Sequence, residues 1–323
     1  ILRVCMAVHT ILSSTEIKKI LSRYKIGVFE KYIGIKEGIE NTNYLVFTSK
    51  NKFILTIYEE RTKDELIPFY MDVMYNSSIN GIKCPTPIKD EYGQLINIIK
   101  KKSYGFFKFI NGNSKKIWSK NNCFEVGKEL ARFHVVNKNI ITSNKNNYGL
   151  NFWNTTFNKC KNFISKELPG SFEIIAEELN FLNKSWPLNL PEGIIHADLF
   201  PDNVLFSKSQ KISGMIDFYF ACKDYFSYDI AVLINAWCFP KNTFNKIFMD
   251  NILKGYESIR KLQTIEKKKM NILLRGSSLR FLLTRIIDVQ KKSKNKILEI
   301  KNPEDFLKRL IFHKNINNSN YDI

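Results

Sequence analysis

Along the first hundred residues, apolar side chains recur at alternate positions in short runs separated by polar turns. Residues 32–36 and 43–48 flank Glu37-Gly38-Ile39-Glu40-Asn41, a turn that joins two antiparallel strands. A second turn, Ser49-Lys50-Asn51, leads into Phe53-Ile54-Leu55-Thr56-Ile57-Tyr58, so three strands follow one another through short connections and build a small sheet. The spacing predicts a helix over 65–79, with Pro68 compatible only with its first turn and Gly81 closing it. Pro85 and Pro87 mark an extended passage, and residues 95–99 and 104–110 predict a further strand pair that ends at Asn111-Gly112. A first lobe over residues 1–111 is expected.

From Phe124 onward the spacing becomes helical: Gly127, Leu130, Ala131 and His134 fall on one face. Further helices are predicted over 172–183, 228–237, 244–260, 279–289 and, behind Asn302-Pro303-Glu304, over 304–312. The second lobe, residues 112–313, is therefore mainly α, and the polar, Asn-rich residues 314–323 are expected as a frayed tail. The fold class is α+β and bilobal.

With 323 residues, 44% of them hydrophobic and 13% aromatic, the chain can fill two cores and lies far from disordered compositions. Fifty Lys and Arg against 31 Asp and Glu give +19, which raises nucleic acid and anionic membranes as partners. The lysines, however, are scattered among Asn and Ile, as AT-rich coding DNA also produces. The densest basic run is Lys267-Lys268-Lys269, and neither nucleic acid nor membrane is expected. The six cysteines lie far apart without a C-x-x-C pair, so reduced thiols are expected rather than zinc or a dithiol redox site. Residues 1–8 are too short for a signal sequence, and the uncharged stretch 230–240 cannot cross ~30 Å of hydrocarbon, so a cytoplasmic protein is expected. Met6 reads as a candidate start, with residues 1–5 an upstream extension.

Chemistry concentrates in Ile194-Ile195-His196-Ala197-Asp198-Leu199-Phe200-Pro201-Asp202-Asn203-Val204-Leu205-Phe206, followed by Gly214-Met215-Ile216-Asp217-Phe218. Three polar side chains are suspended among apolar strands. A carboxylate at Asp198, an amide at Asn203 and a carboxylate at Asp217 suit magnesium-assisted phosphoryl transfer, which needs a base or orienter at the acceptor hydroxyl and hard oxygen ligands for Mg²⁺. A hairpin over 204–206 and 212–216 is expected to return Asp217 alongside Asn203.

This H-x-D-x-x-x-x-N pattern with its following I-D-F resembles the kinase-like aminoglycoside and choline phosphotransferase superfamily. Ala197 stands where protein kinases carry Arg, and Tyr219 replaces the Gly of D-F-G. Further stretches resemble the bacterial homoserine kinases of that superfamily: Glu37-Gly38-Ile39-Glu40-Asn41-Thr42-Asn43-Tyr44, Phe53 to Glu59, Asp217-Phe218-Tyr219-Phe220-Ala221-Cys222, Tyr228-Asp229-Ile230-Ala231, Asn235-Ala236-Trp237-Cys238-Phe239 and Arg280-Phe281-Leu282-Leu283-Thr284-Arg285. The resemblance, from about Met6 to His313, implies the two-lobed protein-kinase-like fold and ATP-dependent phosphorylation of the L-homoserine hydroxyl, with Mg²⁺. It implies Asp198 as catalytic residue, Asn203 and Asp217 as metal ligands, Glu37, Gly38, Asn41, Asn43 and Thr56 beside the nucleotide, and Asp202, Asn235, Arg280 and Arg285 beside the acceptor. Choline, methylthioribose or an aminoglycoside is the alternative acceptor.

Thr56 occupies the strand position where most relatives carry a phosphate-binding Lys; Lys52, Arg61 or Mg²⁺ could take over that charge. Homoserine is a zwitterion, and Arg suits its carboxylate because it can bind bidentately. Arg280 and Arg285 lie on an otherwise apolar helix about 140° apart, so one of them is expected at the acceptor, unless each pairs with a structural carboxylate such as Asp229 or Asp288. His134 reads as a satisfied core histidine, Asp229 as a helix cap or a brace of the catalytic loop, and His196 as a holder of that loop's backbone.

Overall fold

The structure is a computed structural model that describes residues 9–35, 41–59, 62–292, 301–316 and 321. It divides into two units: Ile1–Asn113 with Leu205–Ser209 and Ser213–Tyr219, and Ser114–Val204 with Gln210–Ile212 and Phe220–Ile323. The first unit opens with α1 (Ser14–Leu21), whose start is fixed by a reciprocal cap: Ser13 Oγ accepts from Glu16 N–H at 3.2 Å, and Glu16 Oε2 accepts from Ser13 N–H at 2.7 Å. Then come β1 (Phe29–Gly34), β2 (Thr42–Thr48), β3 (Lys52–Ile57), α2 (Ile67–Ile79) with Pro68 in its first turn, β4 (Asn97–Ile99) and β5 (Lys102–Lys108). The antiparallel sheet has the order β1-β2-β3-β5-β4. Because side chains alternate along each strand, Tyr44, Val46, Leu55, Ile57 and Phe106 share one face, on which Ile17, Ile20 and Leu21 of α1 pack. Asn43, Thr56 and Gly105 are register partners on the other face. There a Cβ on Gly105 would lie 2.4 Å from Met71 Cε of α2. The expected nucleotide turn falls partly on residues 36–40, so Glu37 and Gly38 lie outside the described residues.

The second unit is helical: α3 (Lys120–Val136), α4 (Leu150–Glu167) and α5 (Ser171–Ser185) precede β6 (Glu192–Ile195). β7 (Val204–Phe206) and β8 (Ile212–Met215) pair as a two-stranded ribbon that belongs mostly to the first unit, and β9 (Cys222–Tyr225), in the second, pairs antiparallel with β6. α6 (Phe226–Trp237), α7 (Lys246–Glu257), α8 (Thr264–Lys292) and α9 (Glu304–Lys314) complete it. All twelve residues of α6 are buried, which explains its mostly apolar sequence. α8 is much longer than the predicted 279–289, because Met270, Leu273 and Leu274 extend its buried stripe through a stretch whose charged side chains obscure it. Residues 314–323 do not form the expected frayed tail throughout. Tyr321 is buried, and its hydroxyl bonds to His313 Nδ1 at 2.6 Å and accepts from Asn271 Nδ2 at 3.3 Å, so this aromatic ties the chain back to α8 and α9.

α3 and α7 approach through glycines. A Cβ on Gly127 would lie 2.2 Å from Ile252 O, and one on Gly255 would lie 2.0 Å from Phe124 O. Both obstacles are helix backbone and cannot rotate away. Gly255→Ala is therefore expected to cost about 3 kcal/mol and to lower Tm by roughly 5–10 °C. Thermal unfolding followed by circular dichroism checks this, and an unchanged midpoint would contradict the close approach.

Candidate active site

Between β6 and β7 the backbone of the H-x-D loop is held from every side. Asp229, near the start of α6, accepts from His196 N–H at 2.7 Å and from Ala197 N–H at 2.8 Å. Arg280 of α8 donates to Ala197 O at 2.6 Å, and Trp237 Nε1 donates to Leu199 O at 2.9 Å. His196 Nδ1 accepts from Asp198 N–H at 3.3 Å. Ala197 takes φ +63°, a left-handed conformation that costs a non-glycine residue roughly 1–3 kcal/mol unless its surroundings enforce it. Here they do, and the turn presents the half-buried Asp198. Of the two roles expected for Asp229, it performs the brace: its carboxylate serves the loop and makes no cap bond to α6.

Asn203 Nδ2 donates to Asp198 O at 2.8 Å and to Asp198 Oδ2 at 3.0 Å. Both amide hydrogens are thus directed at Asp198, and Oδ1 is the atom left to act as an oxygen ligand. Asp217 lies two residues past the end of β8, in the first unit, with φ +65°, a region Asp enters more readily than most residues. It leads into the Phe218–Phe220 turn, where the Tyr219 ring packs edge-on against Tyr58 and Tyr70. Among the described residues, no three His, Cys, Asp or Glu side chains gather as a metal cage. The Asn203 amide oxygen and the Asp217 carboxylate are each hard oxygen donors of the kind Mg²⁺ takes.

In the first unit, Thr56 Oγ1 donates to Asn43 Oδ1 at 2.7 Å, so these two expected nucleotide residues form a neutral pair on one face of the sheet. Asn41 is buried and accepts from Glu59 N–H and Thr62 Oγ1, both at 3.1 Å; its oxygen braces the end of β3. Lys52 is exposed over the Phe47 and Phe109 rings, and Arg61 lies outside the described residues. A polar cluster that the sequence did not reveal sits nearby: Glu59 accepts from Thr10 Oγ1 at 2.7 Å, from Thr42 Oγ1 at 2.6 Å and from Lys102 Nζ. Its long sequence separations explain why no local pattern announced it.

The acceptor residues separate into different classes. Asp202 pairs with Lys301 at 2.6 Å, both more than half exposed, a contact worth at most about 1 kcal/mol. Arg285 is committed to Asn302 O at 2.6 Å and to Asp305 Oδ2 at 3.1 Å, so its structural carboxylate is Asp305 rather than Asp229 or Asp288. Arg280 differs. It is buried among the Tyr148, Phe220 and Phe281 rings, its Nε–H has no acceptor, and no carboxylate lies within ion-pair distance among the described residues. Burial opposes its charge, yet the surrounding Tyr228 and Asp198 raise its pKa above the ordinary value.

Asn235 is corrected by the structure. It is fully buried, its amide donates to Leu274 O at 2.9 Å and Ser277 Oγ at 2.6 Å, and its Oδ1 contacts His313 Nε2 at 2.9 Å, so it ties α6 to α8 and α9 instead of facing an acceptor. Trp237 is likewise buried. Burial, followed by the charges of Arg309 and Arg275, pushes His313 from 6.5 down to about 3. The unfolded chain therefore takes up this proton before the folded one does. Stability is unaffected above the unfolded pKa and is lost as pH falls from 6.5 toward 3, at up to about 1.4 kcal/mol per pH unit. The acid side of a Tm-against-pH curve should flatten in His313→Gln; equal slopes would contradict the assignment.

Residues 31–262 match the phosphotransferase enzyme family. The chain belongs to this family. Its relatives include homoserine kinases of Bartonella tribocorum, 40% identical over 97% of this chain and 98% of that one, and of Parvibaculum lavamentivorans, 36% identical over 96% and 97%. Phosphotransferases with the same fold include an amicoumacin kinase solved with AMP-PNP and Ca²⁺ (TM-score 0.69, 17% identity, 94% of this chain and 92% of that one). A spectinomycin phosphotransferase solved with ADP and spectinomycin is a second (TM-score 0.69, 12% identity, 97% and 98%). The expected α+β kinase-like fold is borne out by these phosphotransferases, as is family membership by the matched residues. Among the described residues, no helix is long and apolar enough to cross a membrane.

Proposed function

We propose that the protein is a homoserine kinase, transferring the γ-phosphoryl group of ATP to the side-chain hydroxyl of L-homoserine in the cytoplasm and giving O-phospho-L-homoserine for threonine biosynthesis. The observation that carries this reading is the 36–40% identity to homoserine kinases over nearly the whole of each chain, together with a braced H-x-D loop of the kind phosphoryl transfer requires. Asp198 orients the acceptor hydroxyl and receives its proton as the oxygen attacks phosphorus. Asn203, fixed against Asp198, and Asp217 are the oxygen ligands for Mg²⁺. The ion, when bound, neutralises charge on the phosphate oxygens.

Thr56 and Asn43 offer a hydroxyl and an amide to the nucleotide where a cation is usual, so more of the phosphate charge falls to the metal. Glu37, Gly38 and Asn41 are the further residues assigned to the nucleotide. Arg280 receives the homoserine carboxylate, because a buried guanidinium that meets no carboxylate among the described residues gains most from an incoming one. Asp202, held by an exchangeable surface ion pair with Lys301, receives the ammonium group.

The decisive experiment incubates the protein with Mg-ATP and a panel of homoserine, serine, threonine, choline, methylthioribose and an aminoglycoside, and measures ADP release. Homoserine-selective turnover is the expected result. Turnover of choline, methylthioribose or the aminoglycoside instead would overturn the substrate, and no ADP release with any acceptor would overturn the activity.

A further inference from the structure

Four buried side chains, one each from α3, α6, α7 and α8, together with the half-buried Arg260 between α7 and α8, form a chain of hydrogen bonds that ends on the catalytic loop. Glu266, fully buried, takes Arg260 NH2 at 3.0 and 3.1 Å; Arg260 NH1 lies 3.3 Å from Tyr256 Oη; Tyr256 Oη lies 2.8 Å from His134 Nδ1; His134 Nε2 lies 3.0 Å from Asp229 Oδ2. The next bonds are those from His196 N–H and Ala197 N–H to Asp229.

The chemistry of the partners fixes every proton. A carboxylate can only accept, so His134 carries its proton on Nε2. His134 Nδ1 must then accept from the Tyr256 hydroxyl, and the Tyr256 oxygen is free to accept from Arg260. From Arg260 NH1 onward every donor points toward Asp229, and a neutral His134 satisfies every member of the chain. A charged imidazole would turn a second N–H against the Tyr256 hydroxyl. Burial holds His134 below its usual pKa, in keeping with the neutral form. Burial also opposes ionisation of Asp229, but the His134 and His196 donors outweigh it and hold that carboxyl below the usual range. The contact of His134 with Tyr256 depends in turn on the close approach of α3 and α7, since Gly127 lies two turns before His134 and Gly255 adjoins Tyr256.

We propose that His134 and Tyr256 are positioning residues: they lock the Asp229 carboxylate in the one orientation that holds Ala197 in its left-handed turn and so aims Asp198. Neither side chain touches substrate. The inference rests on the reading of Asp198 as the residue that meets the acceptor hydroxyl.

Its test compares wild type, His134→Phe, His134→Gln and Tyr256→Phe by steady-state kinetics and by hydrogen–deuterium exchange across residues 195–199. His134→Phe removes the donor to Asp229 and should lower kcat roughly 100-fold, as expected when a reacting group shifts by about 1 Å. KM for ATP and for homoserine should change by less than about threefold, and the His196 and Ala197 amides should exchange faster. His134→Gln, whose amide can donate at the position of Nε2, should recover much of the loss, and Tyr256→Phe should fall between. If His134→Phe does not fold, Tyr256→Phe carries the test by the same readings. Unchanged loop exchange, a retained kcat, or a loss confined to KM overturns the proposal. A wild-type protein inactive on homoserine would overturn the functional reading alone, because exchange at His196 and Ala197 still decides this one.

Discussion

Asp198→Asn is expected to lower kcat for homoserine by about 10³-fold or more, within the range general acid–base groups supply. An amide at this position is nearly isosteric and still presents an oxygen to Asn203 Nδ2, so the 3.0 Å contact that anchors the side chain survives. What disappears is the negative charge and the capacity to take a proton. Neither substrate should bind much more weakly, and the loss should therefore appear in kcat and in kcat/KM alike, with KM values close to wild type. The loop bonds from Asp229, Arg280 and Trp237 all go to backbone atoms and are untouched, so Tm should move by no more than a few degrees. Turnover above a tenth of wild type would remove Asp198 from the role assigned to it.

The loop itself was legible because its chemistry is local: His196, Asp198 and Asn203 sit within eight residues between two apolar runs. The strands of the first unit were legible for the same reason, since alternation and turns are properties of neighbouring residues. Two helices escaped although their signals were present. α1 is announced by Ser13 and Glu16 followed by Ile17, Ile20 and Leu21, and α4 by Trp153, Phe157, Cys160 and Ile164 at helical spacing. Tertiary partners were a different matter. Nothing near His134 indicates that its ring meets Asp229, 95 residues away, or Tyr256, 122 residues away. Asn235 reads as an acceptor contact by sequence position, and only the packing of α6 against α8 and α9 shows its amide committed internally. Local pattern thus identifies which groups carry chemistry, whereas the bonds that aim them depend on chain crossings that no window of sequence contains.

That distinction bears most directly on Arg280, whose guanidinium has, among the described residues, one backbone acceptor and no carboxylate at ion-pair distance. If the substrate supplies one, the cation discriminates for the carboxylate and not for the hydroxyl. 3-Amino-1-propanol is homoserine without its carboxylate, so the wild-type enzyme should prefer homoserine by roughly 10³-fold or more in kcat/KM, as sites built around a buried polar partner do. Arg280→Gln keeps an N–H able to reach toward Ala197 O but carries no charge, and should bring that preference to within about tenfold, chiefly through a higher KM for homoserine. Arg280→Lys should fall between, because it restores the charge without the planar fork. Were Arg280 only a brace of the loop, Asp198 would be misaimed for both acceptors and both rates would fall together. A preserved ratio in Arg280→Gln would therefore leave Arg280 as a loop brace and send the search for the carboxylate's partner elsewhere.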